Sequence, residues 1–309
     1  MVFEFELEPK LKQIVKNTLE IITLEELKNV LKKKHKVAYI GFEPSGKIHL
    51  GHYLQIKKMV DLEQAGFDII VLLADLHAYL NGKGNGDFNV IHEYAKYNEK
   101  VIKKVIRKLG LENAQFIYGC SFQLDPDYTH DLLELATKTT VRRATRSMEL
   151  ITREMTNPKV AQLLYPLMQV NDIKHLEVDV AVGGMEQRKI HMLARELLDC
   201  PPVCIHNPIL TSLDGKGKMS SSKGENSYIA VDDDPETIRR KIMKAYCPIG
   251  VVENNPILEI AKYFVQYPLE VGNATVSSYN ELEQLYRDKK VHPLDLKEVV
   301  WCALINLNI

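Results

Sequence analysis

A short string near residue 50 carries residues suited to phosphate binding. It reads His49-Leu50-Gly51-His52, follows an apolar β-like run and opens a helical pattern. The free backbone N–H groups and the positive dipole end of a helix start are favourable for phosphate. His49 and His52 are three residues apart and face one side of the first turn, while Gly51 lets a ligand approach the backbone. The string predicts a site that donates hydrogen bonds to a nucleotide phosphate.

A second string lies much further along the chain and reads Leu213-Asp214-Gly215-Lys216-Gly217-Lys218-Met219-Ser220-Ser221-Ser222-Lys223-Gly224. Its three glycines allow the backbone to move, and its three lysines and three hydroxyls suit a leaving pyrophosphate, whose negative charge is spread over several oxygens. Alone, this string is typical of an exposed, solvated loop, and the first string also occurs in unrelated nucleotidylyltransferases. Neither string by itself therefore identifies a reaction.

Three polar residues at helical spacing form a third candidate site. Tyr165, Gln169 and Asp172 are four and three residues apart, so one helix face presents them to one pocket. The pair Gly183-Gly184 follows a β-like run and precedes a helical pattern, which leaves room for a ligand against the backbone. Each residue alone is typical of core or surface, and only the set predicts a binding pocket.

The elements that must position these residues alternate between β-rich runs and amphipathic helical stretches. Strands are predicted at 37–42, 67–74, 115–119, 178–182 and 203–206. Helices are predicted between them, notably at 50–65 and 91–109, and a capping box at Thr23 and Glu26 opens an earlier one. This order indicates a parallel sheet with right-handed crossovers. The fold class expected is α/β and Rossmann-like.

The β signals fade after residue 231, where a series of helical segments begins. These segments lie at 235–245, 256–267, 279–288 and from 294 onward. We therefore expect a Rossmann-like catalytic domain over residues 1–230 and a smaller helical C-terminal domain over residues 231–309. Each is long enough to bury a core of its own.

The composition is that of an ordinary globular protein. Hydrophobic residues make up 45% and charged residues 26% of the 309, and the net charge is −1, which argues against indiscriminate binding of nucleic acid. Between residues 138 and 195, however, lysine and arginine outnumber aspartate and glutamate.

The apolar runs are too short for a membrane span and the acidic start does not match a secretory signal, so we expect a cytoplasmic protein without membrane contact. The scattered cysteines predict free thiols and no zinc site.

The two strings together resemble the paired signatures of class I aminoacyl-tRNA synthetases, His-Ile-Gly-His and Lys-Met-Ser-Lys-Ser. Leu50 replaces the isoleucine, and Ser221 replaces the second lysine, which leaves Lys218 and Lys223 to hold pyrophosphate. The stretches 38–52, 165–187 and 206–223 resemble more closely the tyrosyl-tRNA synthetases of the archaeal and eukaryotic type. The resemblance runs from about residue 37 to residue 292. It implies a tyrosine–tRNA ligase that forms tyrosyl-adenylate and pyrophosphate from tyrosine and ATP, then transfers tyrosine to the 3′-terminal adenosine of tRNA(Tyr).

The resemblance also implies a role for each matching residue. L-Tyrosine would be bound at its hydroxyl by Tyr39 and Asp172, and at its amino group by Tyr165, Gln169 and Gln187. ATP would be bound by Gly41, Glu43, Gly51, Met219, Ser220 and Ser221, and catalysis would involve His49, His52, Lys218 and Ser221. The tRNA would contact Arg146, Arg188 and Lys189 at the acceptor stem, and His292 and Asp295 at the anticodon. The family further implies Mg²⁺ carried by ATP, no tightly bound protein metal, and a homodimer.

One departure from the archaeal pattern concerns the anticodon. Residues 269–276 contain no aromatic side chain and resemble a shortened form of a loop that, in an archaeal tyrosyl-tRNA synthetase, carries a phenylalanine stacked on an anticodon base. We therefore expect the anticodon to be read more weakly than the first acceptor pair, because base stacking contributes about 1 to 3 kcal/mol.

Three alternatives compete with the tyrosine enzyme. A tryptophanyl-tRNA synthetase shares the fold and the signatures, but Tyr39 with Asp172 suits a phenol better than an indole. A small-molecule nucleotidylyltransferase would explain His49 to His52 but not the string around Lys218. A non-catalytic RNA-binding descendant of a synthetase is disfavoured by the intact signatures.

Overall fold

The computed structural model describes residues 2–151 and 157–307, with side chains from residue 8 onward. The backbone forms two compact units, one of residues 1–46 with 55–208 and one of residues 47–54 with 209–309. The second unit includes residues 47–54 because Leu50 N donates to Ile229 O at 3.1 Å and Val231 N donates to Ile48 O at 2.9 Å. The compact units thus divide differently from the expected domains, and the functional division at residue 231 stays a prediction.

A six-stranded sheet forms the centre of the first unit. Its strands are β1 (Glu20–Ile22), β2 (Val37–Phe42), β3 (Asp68–Leu73), β4 (Ala114–Tyr118), β5 (Val180–Gly184) and β6 (Val203–Asn207). The strand order is β1-β6-β5-β2-β3-β4, with all neighbours parallel except the antiparallel pair of β1 and β6. The predicted parallel α/β sheet is confirmed. The edge strand β1 was not predicted, because three residues are too few to show a period.

Nine helices of the first unit connect and flank these strands. They are α1 (Val2–Val15), α2 (Leu24–Leu31), α3 (Leu50–Gln64), α4 (Asp75–Leu80), α5 (Phe88–Lys108), α6 (Pro126–Lys138), α7 (Val141–Met148), α8 (Val160–His175) and α9 (Arg188–Leu197), all within residues 2–151 and 157–307. The first turn of α3 belongs to the second unit. The predicted capping box of α2 is confirmed by reciprocal hydrogen bonds between Thr23 and Glu26. Helix α8 contacts α6, α7 and α9 and is buried throughout residues 165–173, which places its polar residues in the interior.

The second unit is mainly helical, as the sequence predicts. It contains α10 (Pro235–Lys244), α11 (Pro256–Phe264), α12 (Tyr279–Arg287) and α13 (Pro293–Asn306), together with the hairpin strands β7 (Leu269–Val271) and β8 (Ala274–Val276). The hairpin was not predicted. Its tight turn uses Gly272, whose φ of 57° is in the left-handed region that favours glycine.

All five cysteines are free thiols, as predicted. Among the described residues, none of the helices combines the length and the apolar character that crossing a membrane would require.

Candidate active site

Helix α8 presents the first part of a buried polar pocket in the first unit. Tyr165, Gln169 and Asp172 are each less than a tenth exposed and face the same interior region, as their spacing predicts. Tyr39 on β2 is also buried, and its hydroxyl lies so close to Gly41 that an added Cβ there would be 2.9 Å away. Burial, and then the charge of Asp172, raises the pKa of Tyr39 well above its ordinary value. Tyr39 therefore keeps its proton and can donate a hydrogen bond.

One carboxylate oxygen of Asp172 accepts two hydrogen bonds, and the other accepts none from the described residues. Its Oδ1 accepts from Gln123 Nε2 at 2.7 Å and from Tyr128 Oη at 2.8 Å. Its Oδ2 has no hydrogen-bond partner among the described residues, although His77 Nε2 lies 3.5 Å away. Burial lowers the pKa of His77 to about 3, so this contact is no ion pair. An open acceptor on a fully buried carboxylate is costly unless a ligand supplies the donor.

The pKa of Asp172 is itself displaced. Burial raises it to about 7, the hydrogen bonds from Gln123 and Tyr128 oppose that rise, and the charge of Asp75 adds to it. At neutral pH the carboxyl group therefore lies near the midpoint between its protonated and ionised forms. Its ability to accept a hydrogen bond on Oδ2 is thus sensitive to pH in this range.

The other end of the pocket is built from amides and a hydroxyl. Gln169 Nε2 donates to Gln187 Oε1 at 3.2 Å, and Tyr165 is hydrogen-bonded to Glu43. Glu43 also accepts from Asn81 Nδ2 at 3.1 Å. These oxygens give this end of the pocket several acceptors, which suits an ammonium group.

Four residues of the pocket are absent from the sequence-based predictions: Asp75, His77, Gln123 and Tyr128. Asp75 and His77 follow the carboxyl end of β3 directly, which is where open α/β sheets bind ligands, so their position was a usable signal. Gln123 and Tyr128 lie in and after an irregular segment and contact Asp172 from more than 40 residues away, as separations of 49 and 44 show. No local pattern indicates them.

The predicted phosphate-binding histidines lie at the start of α3, in the second unit. Gly51 N donates to His49 Nδ1 at 3.1 Å and His49 N donates to His52 Nδ1 at 3.2 Å. Both rings therefore carry their proton on Nε2 when neutral, which makes Nε2 a donor. Burial, followed by the nearby charge of Lys218, lowers the pKa of His52 to about 4. Burial, with His52 and Lys218, likewise lowers the pKa of His49 well below its ordinary value.

The lysine-rich string forms a loop in the same unit. Met219 is buried and its N donates to Leu210 O at 2.7 Å, while Lys218 is exposed. Lys223 Nζ donates to Lys216 O at 2.5 Å, so this lysine closes the loop on itself. Ser220 and Ser221 are half-buried. Because the charge of Lys218 reaches both histidines, the structure brings the two signature strings together within the second unit.

The residues expected at the acceptor stem lie on α7 and α9, which pack against each other in the first unit. Arg146 is exposed, and Lys189 forms an ion pair with Glu149. Arg188 binds the Glu20 carboxylate through two nitrogens at 2.7 and 3.0 Å. Two of the three cations are thus paired with carboxylates of the same chain.

The residues expected at the anticodon lie at the start of α13 in the second unit. His292 is the N-cap, and its Nδ1 accepts from Leu294 N at 3.2 Å. Asp295 lies against the hairpin turn, since a Cβ added to Gly272 would be 2.8 Å from its Oδ2. Asp295 is therefore close to the aromatic-free segment 269–276.

Known proteins that resemble the chain were found by sequence and by structure. Residues 31–307 match the family of tRNA synthetases class I (W and Y). The tyrosine–tRNA ligase of Methanocaldococcus jannaschii is 64% identical over 303 residues, covering 96% of each chain. That of Methanococcus maripaludis is 55% identical, covering 97% of this chain and 94% of its own. The tyrosyl-tRNA synthetase of Archaeoglobus fulgidus, solved with L-tyrosine, matches with a TM-score of 0.86 at 49% identity, over 98% of this chain and 97% of that one. The chain therefore belongs to the class I tRNA synthetases (W and Y), and within them to the archaeal-type tyrosine–tRNA ligases.

Proposed function

We propose that the chain activates L-tyrosine with ATP and transfers it to tRNA(Tyr). The observation that carries this proposal is that Asp172 Oδ2 has no hydrogen-bond partner among the described residues, while the charge of Asp172 acts on the donor hydroxyl of Tyr39. A phenol hydroxyl both donates and accepts, so it satisfies Asp172 and Tyr39 together. An indole N–H only donates and would leave Tyr39 without an acceptor. The pocket thus favours tyrosine over tryptophan.

The proposed role of each pocket residue follows from the hydrogen-bonding groups at the two ends of the pocket. Tyr39 and Asp172 bind the phenol hydroxyl, and Tyr165, Gln169 and Gln187 hold the ammonium group. Support for the second role comes from the acceptor oxygens gathered there by the Gln169–Gln187 hydrogen bond. The carboxylate of tyrosine is then the one polar group left to react.

ATP is the second substrate in this proposal. His49 and His52 donate from Nε2 to its phosphates, and Lys218 stabilises the leaving pyrophosphate. By resemblance to the family, Gly41, Glu43, Gly51, Met219, Ser220 and Ser221 would also contact ATP. Mg²⁺ would be carried by the phosphates. Among the described residues, no cluster of three or more His, Cys, Asp or Glu side chains could hold a metal on its own. Because Lys223 is engaged by Lys216 O, the main cationic role falls to Lys218.

The reaction needs no protein nucleophile. A carboxylate oxygen of tyrosine attacks the α-phosphorus of ATP, the bond to the β-phosphate oxygen breaks, and pyrophosphate leaves. A hydroxyl of the 3′-terminal adenosine then attacks the tyrosyl carbonyl and AMP leaves. The protein contributes positioning of the reactants and stabilisation of the developing charge.

The tRNA would bind to both predicted domains, residues 1–230 and 231–309. Arg146, Arg188 and Lys189 would contact the acceptor stem, and His292 and Asp295 the anticodon. We further propose a cytoplasmic homodimer, on the resemblance to the family alone. Weak reading of the anticodon, expected from segment 269–276, stays a prediction.

ATP–pyrophosphate exchange with each of the twenty amino acids tests the proposed function. Exchange is expected with tyrosine alone. Exchange driven by tryptophan would favour the tryptophan enzyme. Absence of exchange with every amino acid would favour a non-catalytic RNA-binding protein.

Replacing Arg146 by alanine should impair tRNA charging and spare amino-acid activation. Arg146 is an exposed cation on α7, and one lost phosphate or base contact should lower the charging rate roughly tenfold, since such contacts contribute about 1 to 3 kcal/mol. The measurement compares aminoacylation of tRNA(Tyr) with tyrosine-dependent exchange. Arg143→Ala on the same helix is the control, because Arg143 is engaged by Glu196 at 2.8 Å. An equal loss of both activities in Arg146→Ala would indicate a structural role instead.

A further inference from the structure

A chain of four hydrogen-bonded side chains crosses the first unit from its surface to the interior. Arg188 binds Glu20 at 2.7 and 3.0 Å. Glu20 Oε2 lies 2.9 Å from His206 Nδ1, and His206 Nε2 lies 3.0 Å from His191 Nδ1. Both histidines are fully buried. The chain therefore connects a partly exposed cation on α9 to a buried imidazole one turn further along the same helix.

Charge fixes the direction of each hydrogen bond. The guanidinium of Arg188 holds the pKa of Glu20 below its ordinary value, so Glu20 is ionised and can only accept. His206 Nδ1 therefore donates to Glu20. Burial lowers the pKa of His206, so its ring is neutral, its Nε2 accepts, and His191 Nδ1 donates to that nitrogen. Burial lowers the pKa of His191 to about 3, which keeps this ring neutral. His191 Nε2 is consequently an acceptor, and among the described residues it has no hydrogen-bond partner.

His191 lies beside Gln187, a residue that the proposed function assigns to the ammonium group. The two are four residues apart at the start of α9 and share one helix face. A Cβ added to Gly183 would lie 2.9 Å from Gln187 Cβ and 3.2 Å from His191 Cε1, so both side chains reach the same point against the backbone. The open acceptor of His191 is therefore next to the ammonium end of the pocket.

We propose that His191 is a positioning residue, whose Nε2 accepts a hydrogen bond from the Gln187 side-chain amide when tyrosine is bound. This bond turns the Gln187 oxygen away from His191 and toward Gln169 and the ammonium. The opposite tautomer of His191 would place an N–H at this point, and Gln187 would then present its own NH₂ group to the cation. Glu20 thus acts on the pocket without touching the ligand, because it selects the tautomer through His206. The inference rests on the proposed function, in which Gln187 binds the ammonium.

Affinities for three ligands test this role. The first ligand is tyrosine. The second is tyramine, which keeps the ammonium but lacks the carboxylate, and the third is 3-(4-hydroxyphenyl)propionate, which lacks the ammonium. His191→Phe retains a ring and removes both nitrogens. We expect this variant to raise the dissociation constants of tyrosine and tyramine about tenfold, the size of one hydrogen bond to a charged group. The dissociation constant of the third ligand should change less than about twofold. Isothermal titration calorimetry supplies the three dissociation constants.

Glu20→Gln provides the second variant, because Glu20 is partly exposed and its loss should leave the fold intact. A glutamine can donate as well as accept, so it permits either tautomer and should weaken the same two ligands. Glu26→Gln is the matched control, since Glu26 pairs with Arg195 at 2.9 Å on the same helix and contacts no histidine in the described residues. The proposed role of His191 would be overturned if the variants lowered the affinity for all three ligands equally. It would also be overturned if the affinity for tyrosine were unchanged in both variants. If the unsubstituted protein does not bind tyrosine, the proposed function fails instead.

Discussion

Replacing Asp172 by asparagine is expected to lower kcat/KM for tyrosine in pyrophosphate exchange by roughly 10- to 100-fold. The amide oxygen can still accept from Gln123 and Tyr128, but an NH₂ group then occupies the position of Oδ2. The phenol hydroxyl would face two donors, this NH₂ group and Tyr39, and its own proton would have no acceptor. A buried donor left unpaired costs about 1 to 3 kcal/mol. Discrimination against phenylalanine should fall by a similar factor, because phenylalanine never makes this hydrogen bond.

The control for this variant is Asp131→Asn. Asp131 lies on α6 and forms an ion pair with Lys174 of α8 at 2.8 Å, so the change alters a contact of the helix that carries Asp172 and leaves Asp172 itself in place. Its kinetics should match those of the unsubstituted protein. If Asp172→Asn kept full selectivity for tyrosine over phenylalanine, another residue would have to read the hydroxyl.

The role of Asp172 also predicts that tyrosine binding depends on pH. Because burial raises the pKa of Asp172 to about 7, protonation competes with its acceptor role below that pH. Tyrosine binding to the unsubstituted protein should therefore tighten as the pH rises from about 6 to 8. The slope should vanish in Asp172→Asn, which has no ionisable group at this position.

Replacing Lys218 by alanine is expected to reduce the exchange rate by about two to three orders of magnitude while the dissociation constant for tyrosine changes less than about twofold. The ammonium of Lys218 acts on charge that develops as pyrophosphate leaves, and loss of one such preorganised donor typically costs 10²- to 10³-fold in kcat. Stopped-flow measurement of adenylate formation, together with equilibrium binding of tyrosine, separates the two effects.

Lys216→Ala is the matched control for Lys218→Ala. Lys216 is exposed in the same loop, and its contact with Lys223 uses the backbone oxygen, which alanine keeps. Turnover should persist in this variant. A collapse of tyrosine affinity with turnover preserved in Lys218→Ala would assign the loop to substrate binding rather than to the departure of pyrophosphate.

The sequence by itself determined the local features of this protein. The alternation of strands and helices, the helical segments after residue 231 and the capping box at Thr23 all follow from periods and contacts within a few residues. The same holds for His49 and His52, because a three-residue spacing at a helix start fixes their common face. The spacing of Tyr165, Gln169 and Asp172, four and three residues, likewise predicts that they share one face of α8.

Only the tertiary structure decided which buried polar atoms have hydrogen-bond partners within the described residues and which are left for a ligand. Gln123 and Tyr128 occupy Oδ1 of Asp172 from 49 and 44 residues away, and this leaves Oδ2 for a ligand. Glu20 reaches His206 across 186 residues, because the short edge strand β1 pairs with β6. Local periods specify which side of an element a residue faces, but they contain no information about the distant segment that packs there. Hydrogen-bond partners, tautomers and pKa values depend on that segment, and therefore the chemistry of the pocket emerged only with the fold.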